Sequence, residues 1–171
     1  IKDVLAYLRL CQNPEDELAL RRVINVPARQ IGQTTIDKLL AKARADGVSL
    51  WQVVKQVAAG DGVVAKKKQK DLAQFVTLIE QLGIRAQELA VSALAVEVID
   101  KTGYRLMLGT SDPEDEARLQ NIEALIGSMA EEERVALEAV ASHASQPPPD
   151  DGSALLWDEP RPLELSDYLS R

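Results

Sequence analysis

NPEDELALRRVINVPARQIGQTTIDKL, residues 13–39, decides how this chain is read. Each half carries the signals of a helix, and a short turn rich in hydrogen-bonding groups lies between them. Asn13 is a good N-cap and Pro14 suits a first helical position. Glu15, Asp16 and Glu17 complement the positive end of a helix dipole. The helix so begun runs through LALRRVI and stops at Val26-Pro27, because the residue before a proline avoids the helical region. Thr34 and Asp37 then stand at capping-box spacing, with Asp where Glu is usual. Ile36, Leu39, Leu40 and Ala43 recur on one face of the next helix, which Asp46-Gly47 ends. Arg29-Gln30-Ile31-Gly32-Gln33-Thr34-Thr35 is therefore the junction of a helix-turn-helix.

Outward from this hairpin the pattern stays helical. Val4, Leu5, Leu8 and Cys11 place a helix over 2–12. Ser49 caps a short helix, LWQVVKQV, that ends at Gly60-Asp61-Gly62. The next starts near Val64, passes Lys66-Lys67-Lys68 and reaches about Gln81, with Gly83 as a break or kink. Another covers about 85–101, and Tyr104-Arg105-Leu106-Met107 is one further turn. Ser111-Asp112-Pro113-Glu114 repeats the cap-then-proline device ahead of EARLQNIEALIGSMA, and 131–142 continues that helix or forms a second. Residues 145–162 read as a flexible Pro-rich loop, with Trp157 placed to pin it to the core. Leu163–Arg171 begins one more helix. No strand alternation and no long repeat emerges. The expected fold is all-α: one compact multi-helix domain over 1–171.

Composition agrees. Apolar residues make up 46% of the 171, enough for a core, while aromatics are only 4%, so Leu, Val, Ile and Ala must fill it. No 18-residue apolar run exists, so no membrane span is expected. A chain opening on Ile1, already inside a helical pattern, reads as a piece of a longer protein. Its one cysteine, Cys11, excludes an internal disulfide and reads as a buried apolar residue. His143, the only histidine, reads as a solvated side chain, and no metal site is expected.

The net charge of −7 argues at first against nucleic acid, but the charge is uneven. Residues 1–70 carry 13 Lys and Arg against 7 Asp and Glu, a net of +6. Residues 71–171 carry 7 against 20, a net of −13. Phosphate feels the local field within about 10 Å, so the basic half can touch DNA.

No G-x-x-x-x-G-K-[ST] loop is present to cradle ATP, and one histidine supports no Ser/His/Asp set, so no catalytic residue is assigned. The acids at Glu131, Glu132, Glu133, Asp150 and Asp151 read as solvated faces rather than an acid–base pair. The positive signal is the turn. A glycine turn feeding a capped helix leaves N–H groups outward, a place that fits a phosphate. Gly32 permits φ > 0 and close approach; Gln30, Gln33, Thr34 and Thr35 add donors; Arg29 and Lys38 add charge. Lys66, Lys67 and Lys68 are a second candidate surface. Each feature also has a plainer reading: Gly32 serves only the turn, Thr34 only caps, and the lysines are a wet helix face. Trp51 and Phe75, at helical spacing beside Val54 and Leu78, read as core rather than as stacking platforms.

Residues 1–40, from IKDVLAYLRL through NPEDELALRRVINVPARQIGQTTIDKL, resemble the start of the 2B subdomain in the superfamily 1 helicases UvrD, PcrA and Rep. Thr102-Gly103-Tyr104-Arg105 and Glu116-Ala117-Arg118-Leu119-Gln120-Asn121-Ile122-Glu123-Ala124-Leu125 agree in order and spacing, which anchors the likeness over 1–125; Leu165-Ser166-Asp167-Tyr168-Leu169 resembles the run back to the motor. The resemblance implies a parent that hydrolyses ATP and moves 3′ to 5′ on single-stranded DNA, with ATP and magnesium on motor domains outside this chain. It implies that the subdomain contacts duplex backbone ahead of the fork, at the single-strand/double-strand junction, without sequence preference. The family's Gly-Ile-Gly turn, which makes that contact, reads Gln30-Ile31-Gly32 here, and the contact carries over to Gly32 and Thr35. Missing with the first glycine are room and freedom for φ > 0. The resulting expectation is a duplex held at Gln30–Thr35, including Ile31, with Arg29, Lys38 and Lys66–Lys68. Orientation set near Ile1 and Arg171 would gate unwinding during repair or replication. Expected partners are duplex DNA, the same chain's motor domains and DNA repair proteins, in a bacterial cytoplasm at the nucleoid and with no membrane. The rivals are a protein-docking module working through the acidic half and a free-standing helical hydrolase or lyase using the acidic clusters, the second opposed by the missing nucleotide loop.

Overall fold

The structure, a computed structural model, describes residues 1–109, 112–144 and 161–170. Those residues form helices α1 (Lys2–Gln12), α2 (Glu17–Val23), α3 (Gln33–Asp46), α4 (Leu50–Ala58), α5 (Lys66–Arg85), α6 (Val91–Lys101), α7 (Tyr104–Leu108), α8 (Pro113–Ala144) and α9 (Leu165–Leu169), with no strand among them. The all-α expectation holds. The expected cap at Ser111, the loop over 145–160, Trp157 and Arg171 lie outside the described residues.

The core is built around α1, whose Val4, Tyr7, Leu8 and Leu10 are fully buried. It packs on α2, α5, α6 and α9. Such a helix is apolar on more than one face because several neighbours cover it. Helix α4 lies against α3 and α5, placing Trp51 and Val54 in the core beside Phe75 and Ile79 of α5. Trp51 and Phe75 are thus core residues, as their spacing predicts. Cys11 is buried too, and burial pushes its thiol up to about 12.

Several helix ends differ from the sequence expectation. The N-cap of α2 is Asp16, whose carboxylate accepts from the Ala19 N–H at 3.0 Å. Asn13 instead closes a local turn, accepting from the Glu15 N–H at 3.1 Å. Two acceptors compete for one helix start, and the one nearer the apolar run wins. Gly83 does not break α5. The helix runs through it to Arg85, where it packs against α1; a Cβ at Gly83 would lie 3.5 Å from the Cys11 carbonyl, an ordinary contact. Helix α6 begins at Val91 rather than near 85. The stretch 131–142 continues α8 without interruption.

Nor is the Glu131–Glu133 run merely a wet face. Glu133 accepts from the Ser92 N–H at 2.9 Å and from Ser92 Oγ at 2.5 Å, satisfying the start of α6, which has no side-chain cap of its own. Glu131 pairs with Arg134. Helix α9 returns to α1, where the Leu169 carbonyl accepts from Arg9 at 3.3 Å, while Tyr168 donates to the Met129 carbonyl of α8 at 3.0 Å. Both ends of the described chain therefore meet at α1.

Candidate nucleic-acid interface

The junction between α2 and α3 is fixed from within. Asn25 Oδ1 accepts from the N–H of Arg29 at 2.8 Å and from that of Ile31 at 3.0 Å. Tyr7 donates to the Val26 carbonyl at 2.5 Å and accepts from the Arg29 guanidinium at 2.7 Å. That guanidinium also donates to the carbonyls of Val23 (3.1 Å) and Pro27 (3.2 Å), and it lies over the rings of Phe75 and Tyr7 at 5.3 and 5.9 Å. Arg29 is thus turned inward onto α1 and α5, with its guanidinium bonded within the turn. Burial pushes the Tyr7 phenol up to about 12 despite the opposing pull of Arg29, so it remains a neutral donor at physiological pH. The Ile31 side chain is fully buried and plugs the turn onto the core.

The backbone reverses another expectation. Gly32 has φ −76°, an ordinary value, and a Cβ there would meet nothing within 4 Å. The residue with positive φ is Gln30, at 59°. The left-handed conformation belongs to the first position of the turn, where the sequence supplies no glycine. Gly32 itself is the N-cap of α3, without a side-chain cap, so Thr34 lies inside the helix and the capping box with Asp37 does not form. Asp37 is held instead by the Gln33 side chain at 2.7 Å. Since the left-handed region costs an ordinary residue roughly 1–2 kcal/mol, Gln30→Gly is expected to stabilise the fold by about 1 kcal/mol in chemical denaturation. An unchanged or lower midpoint would show that Gln30 is unstrained there.

Two outlying features of the sequence meet at this turn. The Lys68 ammonium donates to the Gln30 carbonyl, joining the start of α5 to the start of α3 across 38 residues. Lys66, Lys67 and Lys68 fill the first turn of α5, which has no side-chain cap. Cations at a helix N-terminus oppose its dipole, so their placement is unfavourable unless an anion meets them. Elsewhere Arg22, Lys42, Arg85, Arg105, Arg118 and Arg134 form ion pairs. Lys38, Lys66, Lys67 and Lys70 are exposed and form no ion pair among the described residues. Of the turn's N–H groups, those of Ile31 and Thr35 are used, the latter donating to the Gly32 carbonyl at 2.9 Å. The N–H groups of Gln30, Gly32, Gln33 and Thr34 have no acceptor among the described residues. Sequence reasoning finds the turn and the lysines but misses Tyr7 and Asn25, which hold the turn in shape. Asn ahead of a proline turn is the one local signal for the second.

The class defined by these elements is an all-helical unit presenting a lysine-flanked helix-turn-helix to solvent. The chain belongs to the UvrD-like helicase C-terminal domain family, whose profile matches residues 1–143, the α2–α3 turn and the start of α5 included. It is 38% identical over 128 residues to ATP-dependent DNA helicase PcrA of Bacillus subtilis, covering 74% of this chain and 17% of that protein. It is 37% identical over 153 residues to DNA helicase II of Haemophilus influenzae, covering 85% and 21%. DNA helicase II of Salmonella typhimurium is 31% identical over the same length. The chain thus spans about a fifth of the length of these relatives. No described helix is long and apolar enough to cross a membrane.

Proposed function

We propose that this chain is the 2B subdomain of an ATP-dependent 3′–5′ DNA helicase, and that it holds duplex backbone ahead of the fork without reading sequence. One observation carries the reading: the Lys68–Gln30 bond merges the α2–α3 turn and the lysine start of α5 into a single cationic surface. On it, open N–H groups at Gln30, Gly32, Gln33 and Thr34 lie with Lys38, Lys66 and Lys67, an arrangement suited to phosphates rather than base edges. Arg29 and Ile31 support the surface from beneath.

ATP and magnesium would sit on motor domains outside this chain. The sequence has no phosphate-cradling loop. The motor domains are then partners within the longer parent polypeptide, and the packing of α9 on α1 suits a unit that turns as one body to gate unwinding. Work in repair or replication, repair-protein partners and a place at the bacterial nucleoid belong to the same proposal.

The test is fluorescence anisotropy of a labelled duplex bearing a 3′ single-stranded tail, titrated with this chain at low and near-physiological salt. Weak binding that falls steeply with salt, and equally for unrelated sequences, is the expected result. No binding at low salt would favour the docking reading instead. Leu106 and Met107 of α7, 86% and 43% exposed beside the acidic α8, are the apolar surface that reading would use.

A further inference from the structure

We infer that Asn25 is a positioning residue for phosphate contact, holding the α2–α3 turn in its binding shape with a neutral acceptor. The inference rests on the duplex-contact reading above. A single oxygen, Asn25 Oδ1, takes the N–H groups of Arg29 and Ile31, the residues on either side of Gln30. Gln30 is thereby pinned on both flanks, while its carbonyl is held by Lys68. The buried Ile31 side chain anchors the next position. A non-glycine residue persists at positive φ when its surroundings over-determine it, and these bonds supply that constraint at 59°. With its neighbours fixed, Gln30 presents its own N–H in a set orientation, next to those of Gly32, Gln33 and Thr34.

The chemistry of the clamp fits an anion-facing turn. An aspartate could accept the same two N–H groups, but it would set a negative charge among the phosphates it helps to place. Asparagine offers the same acceptor geometry without the charge. A turn that is rigid before binding gives up less freedom on meeting its ligand, which is how a residue that never touches DNA strengthens binding.

Two variants separate this role from simple support of the fold. Asn25→Ala removes the acceptor. Amide exchange at Arg29 and Ile31 should accelerate, and affinity for the tailed duplex should fall about 10-fold. Duplex binding should then restore part of the missing protection, which a purely structural role would not produce. Asn25→Asp keeps the acceptor. Protection should remain as in the parent, while affinity falls at low salt and the deficit shrinks as salt rises. This variant keeps the test decisive even if Asn25→Ala fails to fold. Parental affinity for Asn25→Asp at low salt, with Lys66→Ala/Lys67→Ala clearly weakened, would overturn the inference and leave the duplex reading standing. Parental affinity for the lysine variant would overturn the duplex reading itself.

Discussion

Replacing Arg29 with alanine should lower the melting temperature by about 6–12 °C while leaving the salt dependence of duplex binding almost unchanged. The guanidinium is bonded to the Tyr7 hydroxyl and to the carbonyls of Val23 and Pro27, and it stacks on Phe75. Hydrogen bonds to a charged donor and a partly shielded cation–π contact together stabilise by about 3 kcal/mol, and a domain of this size loses about 2–4 °C per kcal/mol. The Tyr7 oxygen and the Pro27 carbonyl would lose their Arg29 donor, while the Val23 carbonyl keeps the Val26 N–H at 3.0 Å. Lysine should not rescue the variant, because an ammonium cannot reach three acceptors in different directions while lying flat on a ring. Binding at 25 °C, where the variant is still folded, should keep the parental salt slope, since this cation is committed inside the protein. A parental melting temperature with a reduced slope would put Arg29 back on the DNA, where the bare sequence places it.

That contrast shows which features of the site are legible in sequence. Helix starts such as Ser49, the αL stop at Gly47 and the apolar faces of α1 and α4 follow from local rules, because the responsible partners lie within one helical turn. The turn itself is visible as a break between two apolar periods. Hidden from local reading is the direction of each side chain, which long-range partners decide. Arg29 is drawn inward by Tyr7, 22 positions earlier, and Glu133 by Ser92, 41 positions away. Asp16 caps α2 while Asn13 closes the turn before it, a choice between two neighbouring acceptors that residue type alone does not make. Gly32 invites credit for the freedom that Gln30 in fact uses, since residue type alone does not say which position of a turn carries the positive φ. The junction of Lys68 with Gln30 needs the α3–α4–α5 packing, which no spacing rule encodes.

Neutralising Lys66 and Lys67 together should have the largest functional effect, weakening tailed-duplex binding by tens-fold to about 100-fold at low salt. Both are exposed, neither has an ion-pair partner among the described residues, and both sit in the first turn of α5. Removing one lysine–phosphate pairing should reduce the slope of log K against log salt by about 0.9, so the double variant should lower it by nearly 2. The fold should tolerate the change or gain from it, because two cations leave the positive end of a helix. The comparison that isolates position from net charge is Lys42→Ala, at a residue already paired with Asp46 (2.7 Å) and Asp61 (3.0 Å). Its slope should stay parental. Lys68→Ala should behave differently again: it removes one charge and also releases the Gln30 carbonyl, so its fall in affinity should exceed what its change in slope accounts for. Equal weakening in the Lys42 and Lys66/Lys67 variants would mean that only the overall field matters, and the built surface at the turn would then have no part in holding the duplex.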